Sequence, residues 1–355
     1  MKRIFLFVAA VFFACAGIFF SKKLPADNRE LIGKKYDTWA GVIRIWTAEE
    51  CNAESWLNAC AGILEESYDG VYINVQVVTD EALATYARSG VNPPDILIYN
   101  AGTVSDTSLL SPITAAYPLR DGIRQDIYAV PVLLRPRFWI YDPGAYDSLP
   151  GDMHDVRAAC ADRDVIALTA LCTGLRPAEG EAIALPGIDL GLNMETHATR
   201  APAGEVACRV SPDIVTDEDP RKLYTDNKID AFVGGVGDVL RLDECAAAAT
   251  GEYAYADDVI VCSIVDKADG RDEVCRAFMD VLIGEGQALA ARAQAFPAIV
   301  GASGWEGNRV LGSVEEALRD KIWLSGAHDA EAAYLYIEGK ISADEAIERI
   351  VGSNK

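Results

Sequence analysis

Three histidines are all this chain has, and His154, His197 and His328 lie far apart, while no two cysteines stand in C-x-x-C spacing. A zinc site built from such ligands is therefore not expected, and neither a metal nor a cofactor is. The G-x-S-x-G elbow, the H-E-x-x-H helix and the phosphate-binding P-loop are missing too. Their absence removes the usual signatures of serine hydrolases, zinc proteases and nucleotide-driven enzymes. Basic residues are scarce: 32 Lys and Arg face 54 Asp and Glu, for a net charge of −22. Phosphate backbones and anionic lipid surfaces demand basic patches, so neither is an expected partner, and the acidic excess reads as a solubilising surface. Low-complexity tracts are few and half of the 355 residues are apolar, which favours two well-cored domains over disorder.

One long apolar run is present. Lys2 and Arg3 precede an uncharged stretch from Ile4 to Phe20, and Lys22 and Lys23 follow it, which is the layout of an export signal or an anchor. The stretch has 17 residues, at the short limit for a membrane span of about 20. Ala14-Cys15-Ala16 offers a cleavage site, and Phe12 to Cys15 loosely resembles a lipobox with Cys15 as the lipidated residue. The expectation is an extracytoplasmic protein, with residues 1–23 a signal peptide or membrane anchor and tethering through that segment or a lipid on Cys15. Without those residues the net charge is −26. Eight cysteines then remain, an even number that permits disulfides, although Cys60, Cys262 and Cys275 sit on apolar faces and read as buried free thiols.

The most informative stretch runs from Gly41 to Thr103. Val42, Ile43 and Ile45 form an apolar strand ending in Trp46 and Thr47; Trp56, Leu57, Cys60, Ile63, Leu64 and Tyr68 then recur at helical spacing, and Gly70 stops the helix. Val71, Ile73, Val75 and Val77 alternate with polar partners, predicting a second strand with one less buried face. Asp80 is read as the cap of a short helix carrying Leu83, Tyr86 and Ala87, and a buried strand follows at Ile96–Ile98 with Tyr99 and Asn100 at its carboxyl end. This is a βαβαβ unit with polar strand ends, the usual place for a ligand in an open α/β sheet.

Further on, Ile127–Asp142 is a long extended run whose two prolines suit an edge or a crossing between lobes. The pattern is weak from Pro143 to about Thr216, with a strand or short buried helix at Val165–Leu171. A short helix near Lys222 leads to a strand at Ala231–Val233 and the glycine turn Gly234–Asp238, which is not a dinucleotide fingerprint. Asp257 and Asp258 precede a strand at Val259–Ile264. Val274, Phe278, Val281 and Leu282 predict a helix that resumes through Gln287, Leu289 and Ala293. The final fifty residues read as helical, with capping boxes at Ser313/Glu316 and Ser342/Glu345 leading into Leu318 and Ile322, and into Ile347, Ile350 and Val351.

Five of these segments, in this order behind an export signal, resemble the extracellular solute-binding proteins of ABC importers, in particular the maltose-type sugar binders. They are the opening strand Val42–Thr47, Pro94–Tyr99, Tyr128–Asp142, Asn227–Gly235 and the helix Phe278–Gln287 ending in Phe296 and Pro297. The resemblance implies an α/β, two-lobed periplasmic-binding-protein-like fold of type II, each lobe a sheet flanked by helices, with a hinge and an interlobe ligand cleft. Lobe 1 is then expected at 38–127 plus 256–297 and lobe 2 at 128–255 plus 298–355. It further implies a monomer that hands a small solute, most commonly a sugar, to permease subunits.

On that picture the ligand lies between strand ends. Trp46, Glu49 and Glu50 follow the first strand, Tyr99, Asn100 and Thr103 the third; Arg135 and Trp139 flank the crossing, Gly235 and Asp238 the glycine turn, and Trp305 the last crossing. Aromatic faces stack on a pyranose while carboxylates, amides and arginine take its hydroxyls. Each has a bland alternative. Trp46 and Trp139 suit a core, Arg135 suits a surface charge or an acidic ligand, the glycines suit a plain turn, and Trp305, between glycines, reads as exposed. Two other functions compete: a tethered sensor of the same fold, and an exported glycoside hydrolase using Glu49/Glu50 or Asp257/Asp258. Neighbouring residues on one strand or helix do not face each other, so neither pair makes an acid–base couple by itself.

Overall fold

The computed structural model describes residues 39–86, 93–148, 158–159, 219–249, 253–267, 270–325, 330–337 and 340–352. Expectations for residues 1–23, Ala87, Val165–Leu171, Val351 and the thiols Cys160, Cys172 and Cys208 lie outside these residues or concern side chains not described.

The opening unit comprises β1 (Gly41–Ala48), the 3-10 turn Glu49–Cys51, α1 (Glu54–Ser67), β2 (Val71–Val78), α2 (Asp80–Ala84) and β3 (Ile96–Asn100). Its periodicities are those read above. Trp56, Leu57, Cys60, Ala61 and Leu64 form the buried stripe of α1, and Gly70, at a φ of 87°, makes the turn into β2. β2 ends the sheet, so Asn74 and Gln76 stay exposed while Val71 is buried. The cap of α2 is Thr79 rather than Asp80: Thr79 keeps an extended backbone and its hydroxyl accepts the Ala82 N–H at 3.3 Å.

The rest follows as β4 (Val130–Tyr141), β5 (Ala158–Ala159), α3 (Pro220–Thr225), β6 (Ala231–Gly234), α4 (Val236–Val239), β7 (Ala246–Ala248) and β8 (Tyr253–Ile264). Then come α5 (Asp272–Ile283), the 3-10 segment Glu285–Ala293, β9 (Phe296–Pro297), α6 (Arg309–Ala317), β10 (Ile322–Ser325), α7 (Ala330–Ile337) and α8 (Ala343–Gly352). Strand order along the main path is β2-β1-β3-β8-β4-β6-β5, with β10 on β8 and both β7 and β9 on β4. β1, β2 and β3 are parallel; β8 is antiparallel to β3 and to β4.

β4 and β8, each 12 residues, are long enough to belong to two parts of the sheet, since about 3.3 Å per residue gives roughly 40 Å. The front of β4 pairs with the back of β8 beside β3, whereas Phe138–Tyr141 pair with β6 and Tyr253–Ala256 with β10. β4 therefore crosses the sheet rather than edging it. Its prolines are tolerated because the register slips between Pro131 and Leu133 and between Arg135 and Pro136. Val132, skipped at the first slip, gives its carbonyl to the buried amide of Gln287 at 3.0 Å and to the Ala298 N–H at 3.3 Å.

Three further sequence expectations are corrected. β8 begins at Tyr253, not after the acidic pair, because Arg135 and Arg137 on β4 neutralise Asp257 and Asp258 within the sheet. α6 is capped by Asn308, whose side chain accepts the Leu311 N–H at 2.9 Å, which leaves Ser313 inside the helix. Ile322 lies in β10, not on a helix, because Ile322–Ser325 run parallel to the front of β8. The Ser342 cap of α8 forms as read, accepting the Glu345 N–H at 3.2 Å, and buries Ile347 and Ile350.

The core is continuous under β3, β4 and β8, where Leu97, Leu133, Leu134, Ile260, Phe278 and Phe296 are sealed from water. Each such side chain contributes about 1.5–3 kcal/mol. One charge is buried with it. Asp95, 1% exposed at the head of β3, accepts the Arg44 N–H at 2.7 Å and pairs with Lys267 at 2.5 Å and Arg271 at 3.0 Å. It ties β1, β3 and the end of β8 at one point. Asp95→Ala removes the carboxylate that these two cations share and is expected to lower stability by about 3 kcal/mol in guanidinium unfolding. A loss below about 1 kcal/mol would show that water satisfies them instead.

Candidate functional site

Where β4 leaves β8 the strands carry alternating charge. Arg135 stands 3.4 Å from Asp258 and also donates to the Glu50 carbonyl at 2.5 Å, while Arg137 grips Asp257 through Nε at 3.0 Å and Nη2 at 2.5 Å. Arg135, Arg137 and Asp258 floor a cleft of about 480 Å³, within the roughly 300–1,000 Å³ range of small-molecule sites, while Asp257 holds Arg137 from the side of a neighbouring cavity.

Its walls come from separate parts of the chain. The turn after β1 contributes Glu50 and Asn52, the turn after β6 contributes Gly235, Val236, Gly237 and Asp238, and Arg241 and Gln294 close the rim. Asn52 and Gln294 both hold left-handed backbones, φ 44° and 51°. Non-glycine residues hold that conformation at a cost, and such strain tends to collect at ligand sites. Gly237 has no side chain to keep the Gln294 amide away: a Cβ there would lie 3.1 Å from Oε1. Asp238 ties the turn by accepting the Gly235 N–H at 3.0 Å.

A second cavity, of about 430 Å³, touches the same crossing from the β3 side and shares Asp258 with the first. Tyr99, Asn100, Asp126, Tyr128 and Trp323 are among its lining residues. Tyr99 is only 4% exposed; its hydroxyl meets Ser263 at 2.8 Å and burial pushes it up to about 12. Asn100 accepts the Cys51 thiol at 3.5 Å. Gly122, at a φ of 84°, lets the loop pass against Trp323, whose carbonyl a Cβ would overlap.

The structure brings four of the eleven expected residues, Glu50, Arg135, Gly235 and Asp238, to the arginine-floored cleft, and Tyr99 and Asn100 to the second cavity. Five line neither. Trp46 packs beside the edge strand with its indole N–H donated to Gln76 at 2.9 Å, and Glu49 is exposed on the turn before the cleft. Thr103 closes the turn after β3, its N–H on the Asn100 carbonyl at 3.0 Å. Trp139 is wholly buried between β6 and β7. Trp305 is buried, not exposed: its indole N–H donates to the Ala295 carbonyl at 2.8 Å and its ring tilts against Phe296. The neighbouring glycine serves the buried Glu315 carboxylate, which accepts the Gly304 and Trp305 N–H groups and the Ser303 hydroxyl.

Sequence reasoning did not place Arg137, Arg241, Asn52 and Gln294, which line the cleft, and weighed Asp257 and Asp258 only as catalytic groups. The sequence holds a carboxylate pair inside an apolar run and an Arg-Pro-Arg inside another extended run, and their pairing comes only with the fold. Among the described residues Cys51, Cys60, Cys245, Cys262 and Cys275 are free thiols, and burial pushes Cys51 and Cys60 up to about 12. They are poor nucleophiles in this setting. The described residues hold no group of His, Cys, Asp and Glu that could bind a metal ion.

No family model matches the chain, and no curated protein matches it in sequence. Solved structures do. The GacH receptor of Streptomyces glaucescens GLA.O, known unliganded and in complex with acarbose, covers 88% of this chain and 97% of its own at 15% identity and a TM-score of 0.52. The sugar-binding protein MalE of Xanthomonas citri matches 88% and 96% at 13% identity and a TM-score of 0.56. The cyclic α-maltosyl-1,6-maltose binding protein of Arthrobacter globiformis matches 88% and 98% at 12% and 0.53. The chain has the two-lobed periplasmic-binding-protein-like fold. In it, the expected mixed α/β architecture and the crossing strands are present together.

Burial pushes the Asp258 carboxyl above its ordinary range, Asp257 adds to the rise, and Arg135 opposes it. A carboxyl raised on folding costs stability when ionised, a cost present above its folded pKa and lost as pH falls through it. Asp258→Asn is accordingly expected to raise the melting temperature at pH 7, with the gain shrinking as pH is lowered toward about 4. An equal gain at both pH values would contradict this.

Proposed function

We propose that the protein is an extracytoplasmic solute-binding protein that captures a small, carbohydrate-class solute in the arginine-floored cleft and delivers it to the permease of an ABC transporter. The observation that carries the reading is a ligand-sized cleft above two long crossing strands, in a chain whose fold is that of sugar-binding proteins. β4 and β8 supply a hinge. Their mutual pairing slips at Arg135/Pro136, so a small rotation there changes the distance between the Glu50 turn and the Gly235 turn. Lobe boundaries near residues 128 and 256 fit this geometry, with the β4 crossover itself at Pro136.

The reading favours binding over catalysis. Each carboxylate of the Asp257/Asp258 pair is held by its own arginine, and two ion-paired carboxylates offer no free acid and base. Among the described residues no helix is long and apolar enough to cross a membrane. Tethering to the membrane is assigned to residues 1–23, through the apolar run or a lipid on Cys15, and the working unit is taken as a monomer free to open and close.

The test is a thermal-shift screen of the full-length protein against mono- and oligosaccharides, polyols and sugar acids. A solute at about 100 times its dissociation constant adds roughly 2.7 kcal/mol and should shift melting by on the order of 5 °C. No shift with any compound would contradict the assignment.

A further inference from the structure

Among the described residues, no aromatic ring lines the arginine-floored cleft. Neither Trp139 nor Trp305 reaches it, so what the described residues offer a cargo there is hydrogen bonds and charge rather than stacking on its C–H faces. Among the described residues the cations lining it are the arginines Arg135, Arg137 and Arg241, with no lysine. Guanidinium is the side chain that grips a carboxylate through two parallel bonds.

The charges nearly cancel in pairs. Arg135 answers Asp258, Arg137 answers Asp257, and Asp238 is taken up by the Gly235 N–H and, at 3.9 Å, by Arg221. Arg241, exposed on the rim just beyond α4, donates its backbone N–H to the Asp238 carbonyl at 3.0 Å, but its guanidinium makes no hydrogen bond or ion pair among the described residues. On the opposite wall Glu50 supplies a carboxylate that likewise takes no ion pair there.

We infer that the cargo is a sugar acid, a small polyhydroxylated carboxylate: Arg241 takes its carboxylate, while Glu50, Asn52 and Gln294 take its hydroxyls. This rests on the solute-binding reading and narrows it, away from the neutral oligosaccharides that need aromatic platforms.

Isothermal titration of the full-length protein in detergent micelles compares galacturonate and gluconate with galactose, glucose and sorbitol, and with α-amino acids. The expected result is that a sugar acid binds at least about 10-fold tighter than its neutral parent. Arg241→Gln should weaken the acid by about 10- to 100-fold and erase that preference, with the melting temperature of the free protein unchanged. A neutral parent binding as tightly as the acid, or an amino acid binding in its place, overturns the sugar-acid inference and leaves solute binding standing. An Arg241→Gln variant that still prefers the acid overturns the role of Arg241. Failure of every compound removes the inference and the solute-binding reading together.

Discussion

The antiparallel pairing of β4 with β8 is the constraint on which the rest of this structure depends. Each strand is shared by two parts of the sheet, so the position of the β3 side relative to the β6 and β10 sides is set by one ladder. The ladder is uneven by design of its sequence. Pro131 and Pro136 cannot donate to it, the register slips beside both, and the freed carbonyl of Val132 is recovered by Gln287 and Ala298. Half-paired backbone leaves the ladder weakest at the crossing, between residues sealed from water on either side.

Charge placement follows the same division. Asp95 with Lys267 and Arg271 locks the head of β3 deep in the fold, and Glu315 locks the loop carrying Trp305. Arg120, 2% exposed, donates to the Pro297 carbonyl at 2.8 Å and lies over the Trp323 ring, holding the loop before β4 against β9 and β10. Removing one partner from such buried groups costs more than the pair contributes, so they act as fixed points. The quartet at the crossing differs in being partly open to water, with side-chain exposures of 22% for Arg135 and 33% for Asp258. Those are groups that solvent can reach.

Local periodicity made the first half of the fold legible. The 2.0 and 3.6 periods of Gly41–Asn100 describe single elements whose burial is decided by neighbours in sequence, and the three strands and the long first helix stand where they were read. What stayed hidden depends on distant partners. The acidic pair was read as ending a loop because no local feature shows that Arg135 and Arg137, some 120 residues away, neutralise it inside a strand. Trp305 was read as exposed because glycines mark loops, whereas Gly304 is there to let its N–H reach Glu315. For the site, strand ends led to Glu50, Gly235 and Asp238, but the preference for aromatic residues led away from Arg137 and Arg241.

The fold is that of proteins that bind oligosaccharides, yet the cleft at the crossing is built of arginine, carboxylate and amide. The fold is therefore shared while the residues lining the cleft belong to this chain, and a scaffold held in common does not by itself set what its sites do. The measurement that tests this most directly is amide hydrogen exchange of the full-length protein with and without a pooled set of sugars and sugar acids. Slowed exchange confined to Glu50–Asn52, Arg135–Arg137 and Gly235–Arg241 is the predicted result. Protection limited to Tyr99–Gly102 and Asp126–Ala129, around the second cavity, or no protection at all, would contradict the account.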